Sequence, residues 1–420
     1  MAQLLGNEGY DRTEDPETAR ALIVNTCGFV GPAREESLQA LRKLAAGKQS
    51  GQKLIATGCL SQHYGAQLIR EAPGIDGILS TRRWMDIVDL TQRLRSGKIT
   101  KPIYHLPSST TVGSDEHGAL RVAVQGGSAY LKIADGCRRP CAFCTIPLIK
   151  GTHVSRAPKL IIAEAQRLQA MGIRELVLIS QDTTDYGHDL GMKNGLAQLL
   201  EKLVTAVPDI PWVRIMYAYP GYVSDELIET MARYPQILPY LDMPLQHGHR
   251  QILKRMKRPA NLDWVHDTIQ KMRAAIPSLA IRSTFIVGYP GETEVEFQTL
   301  LDFVSALKFD RMGAFEFSFE TRTASEPLGD PVPQPVKAER LRRLMELQER
   351  ISLQKNQEFI GQTLDVLVEG IGDGLSVGRS YRDAPEIDGV VIVENELTVG
   401  EIAQIRITGA MAHDLSGSAP

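Results

Sequence analysis

Three cysteines lie close together about a third of the way along the chain, at a spacing that allows shared metal binding. Cys137, Cys141 and Cys144 are separated by three and then two residues. Iron–sulfur clusters take thiolates from compact loops of this kind. Three thiolates can bind three irons of a [4Fe–4S] cube and leave the fourth iron open to chelate a small molecule. Structural zinc, with His153 as a fourth ligand, is the alternative that these residues leave open.

The other two cysteines, Cys27 and Cys59, each follow a short apolar run of strand length. The runs are residues 21–25 and 53–57. Because parallel strands bring their carboxyl ends to one edge of a sheet, we expect the two thiols to lie near each other. Taken alone, each could instead be a buried structural thiol. An odd total of five cysteines in a large chain argues against a disulfide framework.

Composition excludes several classes of protein. The chain has 420 residues, of which 43% are hydrophobic and 23% charged, as in ordinary soluble globular proteins. This length exceeds a single core and predicts two or three domains. There is no apolar run of about 18 residues and no leader peptide, so we expect a cytoplasmic protein without a membrane span. The net charge of −3 gives no reason to expect an overall nucleic-acid binder.

Alternating strands and helices must position the cysteines. The pattern of residues 1–98 predicts a small α/β domain with a helix at 32–46 and a third apolar run at 75–79. The composition of residues 100–119 predicts a linker. From residue 120 a longer series begins. Its candidate strands are 129–134, 176–180, 213–217, 238–242, 281–287 and 313–319, with helices that include 159–171 and 263–276. Six such units predict an open or closed barrel, with the cysteine loop at its mouth after the first strand.

The last sixty residues have a different character. After a charged helix at 336–358, short Val/Ile-rich runs at 364–368, 390–393 and 402–407 predict a small all-β module. Residues 361–420 contain three Arg, no Lys and ten Asp or Glu, a net charge of −7. Phosphate contacts dominate nucleic-acid binding, so direct binding of nucleic acid is not favoured. A basic protein partner suits this module, and improved solubility is the alternative explanation.

The cysteine spacing, with Phe143 before the last cysteine, resembles the radical S-adenosylmethionine (SAM) superfamily. The resemblance implies that Cys137, Cys141 and Cys144 hold a [4Fe–4S] cluster, that SAM binds its open iron and that Phe143 is a cofactor-binding residue. One-electron reduction would then cleave SAM to a 5′-deoxyadenosyl radical.

Two further segments resemble cofactor-binding parts of that superfamily. Residues 284–293, T-F-I-V-G-Y-P-G-E-T, resemble its fifth-strand glycine motif, which implies SAM contacts for Gly288, Gly291 and Glu292. Gln181 and Asp182 end the second strand, where the superfamily contacts the amino or ribose groups of SAM. An ordinary turn and a loop cap are the respective alternatives.

The N-terminal cysteines narrow the resemblance to the methylthiotransferases. Residues 25–30 (N-T-C-G-F-V) and 57–60 (T-G-C-L) resemble the N-terminal domain of that family. The implied fold class is α/β, with an N-terminal α/β domain, a partial (β/α)6 radical-SAM barrel and a small C-terminal TRAM-like β-barrel. The corresponding domain limits are 1–98, 120–352 and 355–420.

Two segments resemble the branch that modifies the β-carbon of an aspartate in ribosomal small-subunit protein twelve. They are residues 239–247 (P-Y-L-D-M-P-L-Q-H) and residues 378–389 (G-R-S-Y-R-D-A-P-E-I-D-G). The residues implied on the substrate side are Gln246, His247, Asp383, Glu386 and Asp388. A tRNA adenosine methylthiotransferase is the alternative enzyme. An iron–sulfur or zinc-stabilised ribosome-associated binding module is the alternative that is not an enzyme.

The resemblance also implies a second, auxiliary cluster at Cys27 and Cys59 that presents the sulfur. One SAM would methylate that sulfur, and a second would yield the radical that removes hydrogen from the aspartate. An external one-electron reductant and a sulfur donor are the further partners implied. The family's domain supplies three cysteines and this chain has two, so we expect the third, and a first strand, upstream of Met1. The chain could then form no auxiliary cluster, a labile two-thiolate cluster, or one with a different ligand.

Overall fold

The computed structural model describes residues 1–28, 31–96, 101–113 and 122–419, which form two compact units. The first unit comprises Met1–Leu120, Asp135–Val154 and Ser318–Pro327, and the second comprises Arg121–Ala134, Ser155–Phe317 and Leu328–Pro420. Phe29 and Val30 of the first cysteine motif, and residues 100 and 114–119 of the predicted linker, lie outside the described residues. The three predicted domain limits remain a prediction.

The helices and strands alternate along most of the chain. The α-helices are α1 (Ala2–Asn7), α2 (Gly31–Ala46), α3 (Cys59–Tyr64), α4 (Gln67–Glu71), α5 (Ile87–Arg95), α6 (Ile146–Lys150), α7 (Pro158–Ala170), α8 (Gly195–Ala206), α9 (Asp225–Arg233), α10 (Arg250–Arg255), α11 (Leu262–Ala275), α12 (Glu294–Leu307) and α13 (Gln334–Gln357). The strands are β1 (Ala21–Thr26), β2 (Lys53–Gly58), β3 (Gly77–Leu79), β4 (Ile103–His105), β5 (Val122–Gln125), β6 (Ser128–Lys132), β7 (Ala134–Asp135), β8 (Val154–Ser155), β9 (Glu175–Ile179), β10 (Trp212–Ile215), β11 (Ile237–Asp242), β12 (Ala280–Val287), β13 (Arg311–Glu316), β14 (Thr363–Gly372), β15 (Leu375–Ser380), β16 (Val391–Val393), β17 (Ile402–Ala410) and β18 (Leu415–Ser418).

The first unit contains a parallel sheet in the order β1-β2-β3-β4. The predicted helix at 32–46 is confirmed as α2, whose Leu38 and Leu41 are buried because apolar residues three apart share one helix face. The prediction of a linker throughout 100–119 is wrong, since β4 pairs with β3 and completes the sheet. Three residues are too few to show a strand pattern, and the pairing with β3 defines this strand.

The second unit contains an open seven-stranded sheet in the order β13-β12-β11-β10-β9-β6-β5. The six predicted strands are confirmed with shifted ends and run parallel, as strand–helix alternation requires. β5 was not predicted and pairs antiparallel with β6 at one edge. Buried residues such as Leu176 and Leu178 pack with the helices, whereas Val177 between them belongs to a cluster on the other face.

The acidic C-terminal module is a closed five-stranded barrel in the order β14-β15-β16-β18-β17. The predicted all-β fold is therefore confirmed, although β15 and β18 were missed. Leu367 and Ala384 of the barrel region share a buried cluster with Val177, Trp212 and Tyr240 of the large sheet. None of the helices in the described part of the chain is long and apolar enough to cross a membrane.

Candidate active site

The cysteine triplet lies in a loop of the first unit between β7 and α6. Cys137 is buried, while Cys141, Cys144 and Phe143 are half-buried. The Cys137 N–H donates to the Gly151 carbonyl at 3.1 Å, and the backbone N–H of Arg139 donates to Cys137 Sγ at 3.4 Å. Hydrogen bonds of this kind stabilise the anionic form of a sulfur ligand.

A glycine with a left-handed backbone comes directly before two of the cysteines. Gly136, before Cys137, has φ of +76°, and a Cβ there would lie 2.0 Å from the Thr152 carbonyl oxygen. Gly58, before Cys59, has φ of +96°, and its Cβ would lie 2.4 Å from the Thr26 carbonyl oxygen. Side chains are excluded from both positions, so glycine allows the chain to turn into each cysteine.

The register of β1 and β2 places the two N-terminal cysteines directly after paired residues of adjacent strands. Thr26, the last residue of β1, pairs with Gly58, the last residue of β2, and Cys27 and Cys59 directly follow these two residues. Cys27 is exposed and Cys59 is half-buried. Helix α3, which begins at Cys59, packs against α6, which begins two residues after Cys144. Both sets of cysteines thus belong to one compact unit.

Three thiolates from one compact loop are the donor set of an iron–sulfur cluster. Within the parts of the chain that the structure describes, no three His, Cys, Asp or Glu side chains converge to hold one metal ion. A [4Fe–4S] cube makes a different demand, because each thiolate binds its own iron.

Arg82 is a residue of this site that sequence reasoning missed. Its guanidinium donates to the carbonyl oxygens of Leu148 and Ile149 at 2.7 and 2.8 Å, and to that of Ser109 at 2.7 Å. The carbonyl groups of Leu148 and Ile149 belong to the last turn of α6 and have no partner within the helix. The helix dipole favours a cation at this end. Arg82 thereby fixes the helix that follows the cysteine loop. An isolated arginine outside any motif carried no sequence signal for this contact.

In the second unit, Gln181 and Asp182 follow β9. The Oε1 atom of Gln181 is buried and accepts no hydrogen bond from the described residues. Buried polar atoms are normally paired, so this oxygen suits a donor on a bound molecule. Asp182 is buried and accepts from the Thr184 hydroxyl at 2.6 Å. The predicted SAM contacts of both residues remain predictions.

The glycine motif after β12 surrounds a buried carboxylate. Glu292 accepts from the Gly288 N–H, from His247 Nε2 at 2.9 Å and from Arg340 at 2.9 Å. Gly288 and Gly291 have φ of +70° and +77°. Glu292 therefore fixes the conformation of the turn. Its predicted effect on SAM binding would be indirect, because the backbone of the turn would make the contact.

Two residues predicted on the substrate side follow β11. Gln246 is half-buried with φ of +77°, and its backbone bridges to β12 through the Thr284 carbonyl (2.8 Å) and the Ile286 N–H (2.9 Å). His247 is fully buried, which lowers its pKa, and its Nδ1 accepts from the His249 N–H at 2.9 Å while Nε2 contacts Glu292. The structure thus places His247 inside the fold. Its substrate role remains a prediction.

The three acidic residues predicted on the substrate side lie in the loop between β15 and β16. Asp383 is buried against the Arg311 guanidinium, at 2.9 Å from its Nε. Asp388 accepts from the Tyr240 hydroxyl at 2.7 Å and from Arg282 at 3.2 Å. Glu386 is exposed. Asp383 and Asp388 therefore join the barrel to the sheet, and only Glu386 is free of such an ion pair among the described contacts.

Comparison with known proteins decides the family. The radical SAM superfamily matches residues 131–304, the TRAM domain matches 360–419, and the uncharacterized protein family UPF0004 matches 1–80. The chain is 45% identical to the ribosomal protein uS12 methylthiotransferase RimO of Roseiflexus sp. (strain RS-1), over 99% of this chain and 93% of that protein. It is 46% identical to the RimO of Chloroflexus aurantiacus, over 100% and 95%. The chain belongs to the RimO family.

Membership in the RimO family makes this chain a radical SAM enzyme that transfers a sulfur-containing group, and a [4Fe–4S] cluster and SAM follow from the superfamily. The fold alone is also similar to a solved radical SAM methyltransferase, TsrM of Kitasatospora setae. The TM-score is 0.55 at 13% identity, over 85% of this chain and 68% of that one. The predicted fold class is confirmed.

Proposed function

We propose that this RimO-family enzyme attaches a methylthio group to the β-carbon of an aspartate in ribosomal protein uS12. The observation that carries the proposal is the Cys137–Cys144 loop within a chain that aligns almost end to end with uS12 methylthiotransferases. A tRNA adenosine as substrate is not favoured by these relatives.

The residues of this chain have distinct tasks in that reaction. Cys137, Cys141 and Cys144 would hold the cluster, and a backbone N–H at Cys137 Sγ favours its thiolate. When bound, the cluster and SAM supply a radical that can remove hydrogen from an unactivated carbon. The free Oε1 of Gln181 offers an acceptor to the SAM amino group. Glu292 fixes the glycine turn so that its backbone can lie against the adenine.

We infer that Cys27 and Cys59 belong to a second, sulfur-presenting centre. Their adjacent register, the exposure of Cys27 and the contact between α3 and α6 support it. Iron and sulfide analysis of the anaerobically reconstituted protein tests the assignment. The double variant Cys27→Ala/Cys59→Ala should bind less iron, keep SAM cleavage and lose methylthio transfer. An unchanged iron content would contradict a cluster at these residues.

The surface of the C-terminal barrel supports a basic protein as substrate. Two of its three arginines, Arg379 and Arg382, are buried in contacts with acidic or amide groups. The exposed charges of residues 361–419 are then Arg406 and seven carboxylates, Asp365, Glu369, Asp373, Glu386, Glu394, Glu396 and Glu401. Such a surface repels a phosphate backbone and attracts basic polypeptides. An external reductant and a sulfur donor are the remaining partners of the proposed reaction.

Deletion of the gene tests the function directly. Intact-mass measurement of uS12 should show loss of a methylthio addition, and nucleoside analysis of tRNA from the same strain should show no change. Complementation with a Cys137→Ala variant should fail, because it lacks one cluster thiolate. Loss of methylthio groups from tRNA instead would establish the alternative substrate. Absence of SAM cleavage by the reduced, reconstituted protein would favour a binding module.

A further inference from the structure

Tyr217 lies two residues beyond the carboxyl end of β10 in an unfavourable backbone conformation. Its φ is +61°, and among the described residues it is the only aromatic one with a positive φ. Bulky side chains are rarely found in this left-handed region, and such outliers concentrate at functional sites. The carboxyl ends of barrel strands are also where active sites form.

The neighbouring strands impose this conformation on Tyr217. Its N–H donates to Asp242 Oδ2, at the end of β11, at 3.3 Å. Its carbonyl accepts from the Thr183 N–H, beyond the end of β9, at 3.1 Å. A glycine would satisfy both hydrogen bonds without the steric penalty of a side chain. The presence of tyrosine therefore calls for a role of the ring.

Packing does not supply that role. The Tyr217 side chain is 42% exposed, and no described residue hydrogen-bonds its hydroxyl. Burial and, after it, the Asp242 carboxylate raise the pKa of the Tyr217 hydroxyl, and the Arg282 guanidinium opposes them. Arg282 is shared by two carboxylates, Asp242 at 3.1 Å and Asp388 at 3.2 Å. Both carboxylates are buried, so the exposed ring of Tyr217 is the group that a binding partner can reach at this strand end.

We propose that the ring of Tyr217 receives a Lys or Arg side chain of the polypeptide substrate, and so orients the segment that carries the target aspartate. This inference rests on the proposed function, which makes a basic ribosomal protein the substrate. A cation is attracted to the face of an aromatic ring, and the hydroxyl is not needed. The same loop already shows this contact internally, with the Arg258 guanidinium 4.1 Å from the centre of the Tyr219 ring.

The test compares Tyr217→Leu with Tyr217→Phe, and uses Tyr222→Leu as the matched control. Tyr222 lies on the same loop and is 49% exposed. Purified uS12 is titrated onto each reconstituted protein, and KM for uS12 and for SAM are measured separately. Loss of a cation–π contact should weaken uS12 binding about threefold to thirtyfold in Tyr217→Leu. Tyr217→Phe should stay within about twofold of the wild type, since it keeps the aromatic face. KM for SAM and SAM cleavage without uS12 should not change.

A melting curve separates this role from a structural one. Tyr217→Gly should melt at a higher temperature than the wild type, because backbone strain is relieved, yet bind uS12 as weakly as the Leu variant. Lys308→Gly, at another residue with positive φ, should also melt higher but bind uS12 normally. Equal losses in the Phe and Leu variants, equal losses in Tyr222→Leu, or a raised KM for SAM would each overturn the inference.

Failure of the proposed function gives a different pattern. If the wild type binds uS12 without modifying it, the proposed function fails, and the ratio of variant affinities still decides the role of Tyr217. If the wild type does not bind uS12 at all, both proposals are overturned.

Discussion

At the scale of single residues, the cysteine loop depends on a glycine that admits no side chain. Gly136 combines a positive φ with a backbone oxygen of Thr152 in the space that a Cβ would occupy. The order Gly-Cys at positions 136–137 and 58–59 was visible in the sequence. Its steric reason was not, because the atoms that approach each glycine come from distant residues.

We predict that Gly136→Ala lowers the iron content of the reconstituted protein severely. The added methyl group must displace the Thr152 carbonyl, and with it the loop that carries the three thiolates. Gly172→Ala is the matched control, since Gly172 has φ of +81° but open space around its Cβ position. It should lose about 1 kcal/mol of stability and keep its iron. Normal iron content in Gly136→Ala would show that the loop tolerates the shift.

The buried carboxyl group of Glu175 makes the stability of the fold depend on pH. Burial raises its pKa, but the Arg214 and Arg379 guanidinium groups outweigh burial and lower it to about 2. The unfolded carboxyl titrates near its ordinary value of about 4.3. The stabilisation is therefore complete above that value and is lost as pH falls toward 2, because the unfolded chain then binds the proton more tightly.

Glu175→Gln should reduce the free energy of unfolding by about 3–5 kcal/mol at pH 7, since two buried guanidinium groups lose their carboxylate. Denaturant titrations between pH 7 and 2 would measure it, and the variant should show a flatter acid limb than the wild type. Glu401→Gln, at an exposed carboxylate, should leave both quantities unchanged. A variant as stable as the wild type would mean that the ion pairs add nothing to stability.

At the scale of elements, the long parallel strands and amphipathic helices were predictable, whereas the short strands were not. β4 has three residues and β18 has four, too few for a hydrophobic pattern. β15 contains Gly378, whose Cβ would lie 2.3 Å from the Leu367 carbonyl oxygen on β14. Such strands are defined by their partners, and a sequence read locally does not show partners.

The same reason explains which parts of the site were missed. The five cysteines are marked by residue type, and their elements were predicted. Arg82 contacts carbonyl oxygens of other elements, and Tyr217 is marked by its backbone conformation. Composition and spacing reveal neither feature. Asp383 and Asp388 were identified by motif, but their burial against Arg311 and Arg282 follows only from how the barrel packs on the sheet.

We predict that Arg82→Ala loosens α6 and the cysteine loop before it. Hydrogen exchange should quicken in residues 145–150, and SAM cleavage should fall at least tenfold, because the last carbonyls of α6 lose their donor. Arg83→Ala is the control, since Arg83 forms an ion pair with Asp86 near the surface. Equal exchange in the wild type and Arg82→Ala would contradict a positioning role for Arg82.

At the scale of the whole molecule, charge is divided unevenly. Residues 361–420 carry a net charge of −7. Since the whole chain carries −3, residues 1–360 carry a net charge of +4. Composition alone predicted this division. The structure adds that two of the three barrel arginines are buried, so that the exposed charges of the barrel are one arginine and seven carboxylates.

Exposed charges of one sign should act mainly on association with a basic partner. Glu394→Gln with Glu396→Gln should weaken uS12 binding severalfold at low salt, and the difference should shrink above about 0.3 M salt because of screening. SAM cleavage without uS12 should be unaffected. Stronger binding of tRNA than of uS12 by the wild type at the same salt concentration would contradict this account of the barrel.

We propose that this chain uses Cys137, Cys141 and Cys144 to transfer a methylthio group to uS12. The most direct measurement is tandem mass spectrometry of uS12 after incubation with the reconstituted enzyme, SAM, a sulfur source and a one-electron reductant. We expect a methylthio group on a single aspartate β-carbon, and none with the Cys137→Ala/Cys141→Ala/Cys144→Ala variant. Unmodified uS12 alongside active SAM cleavage, or modification by the triple variant, would contradict it.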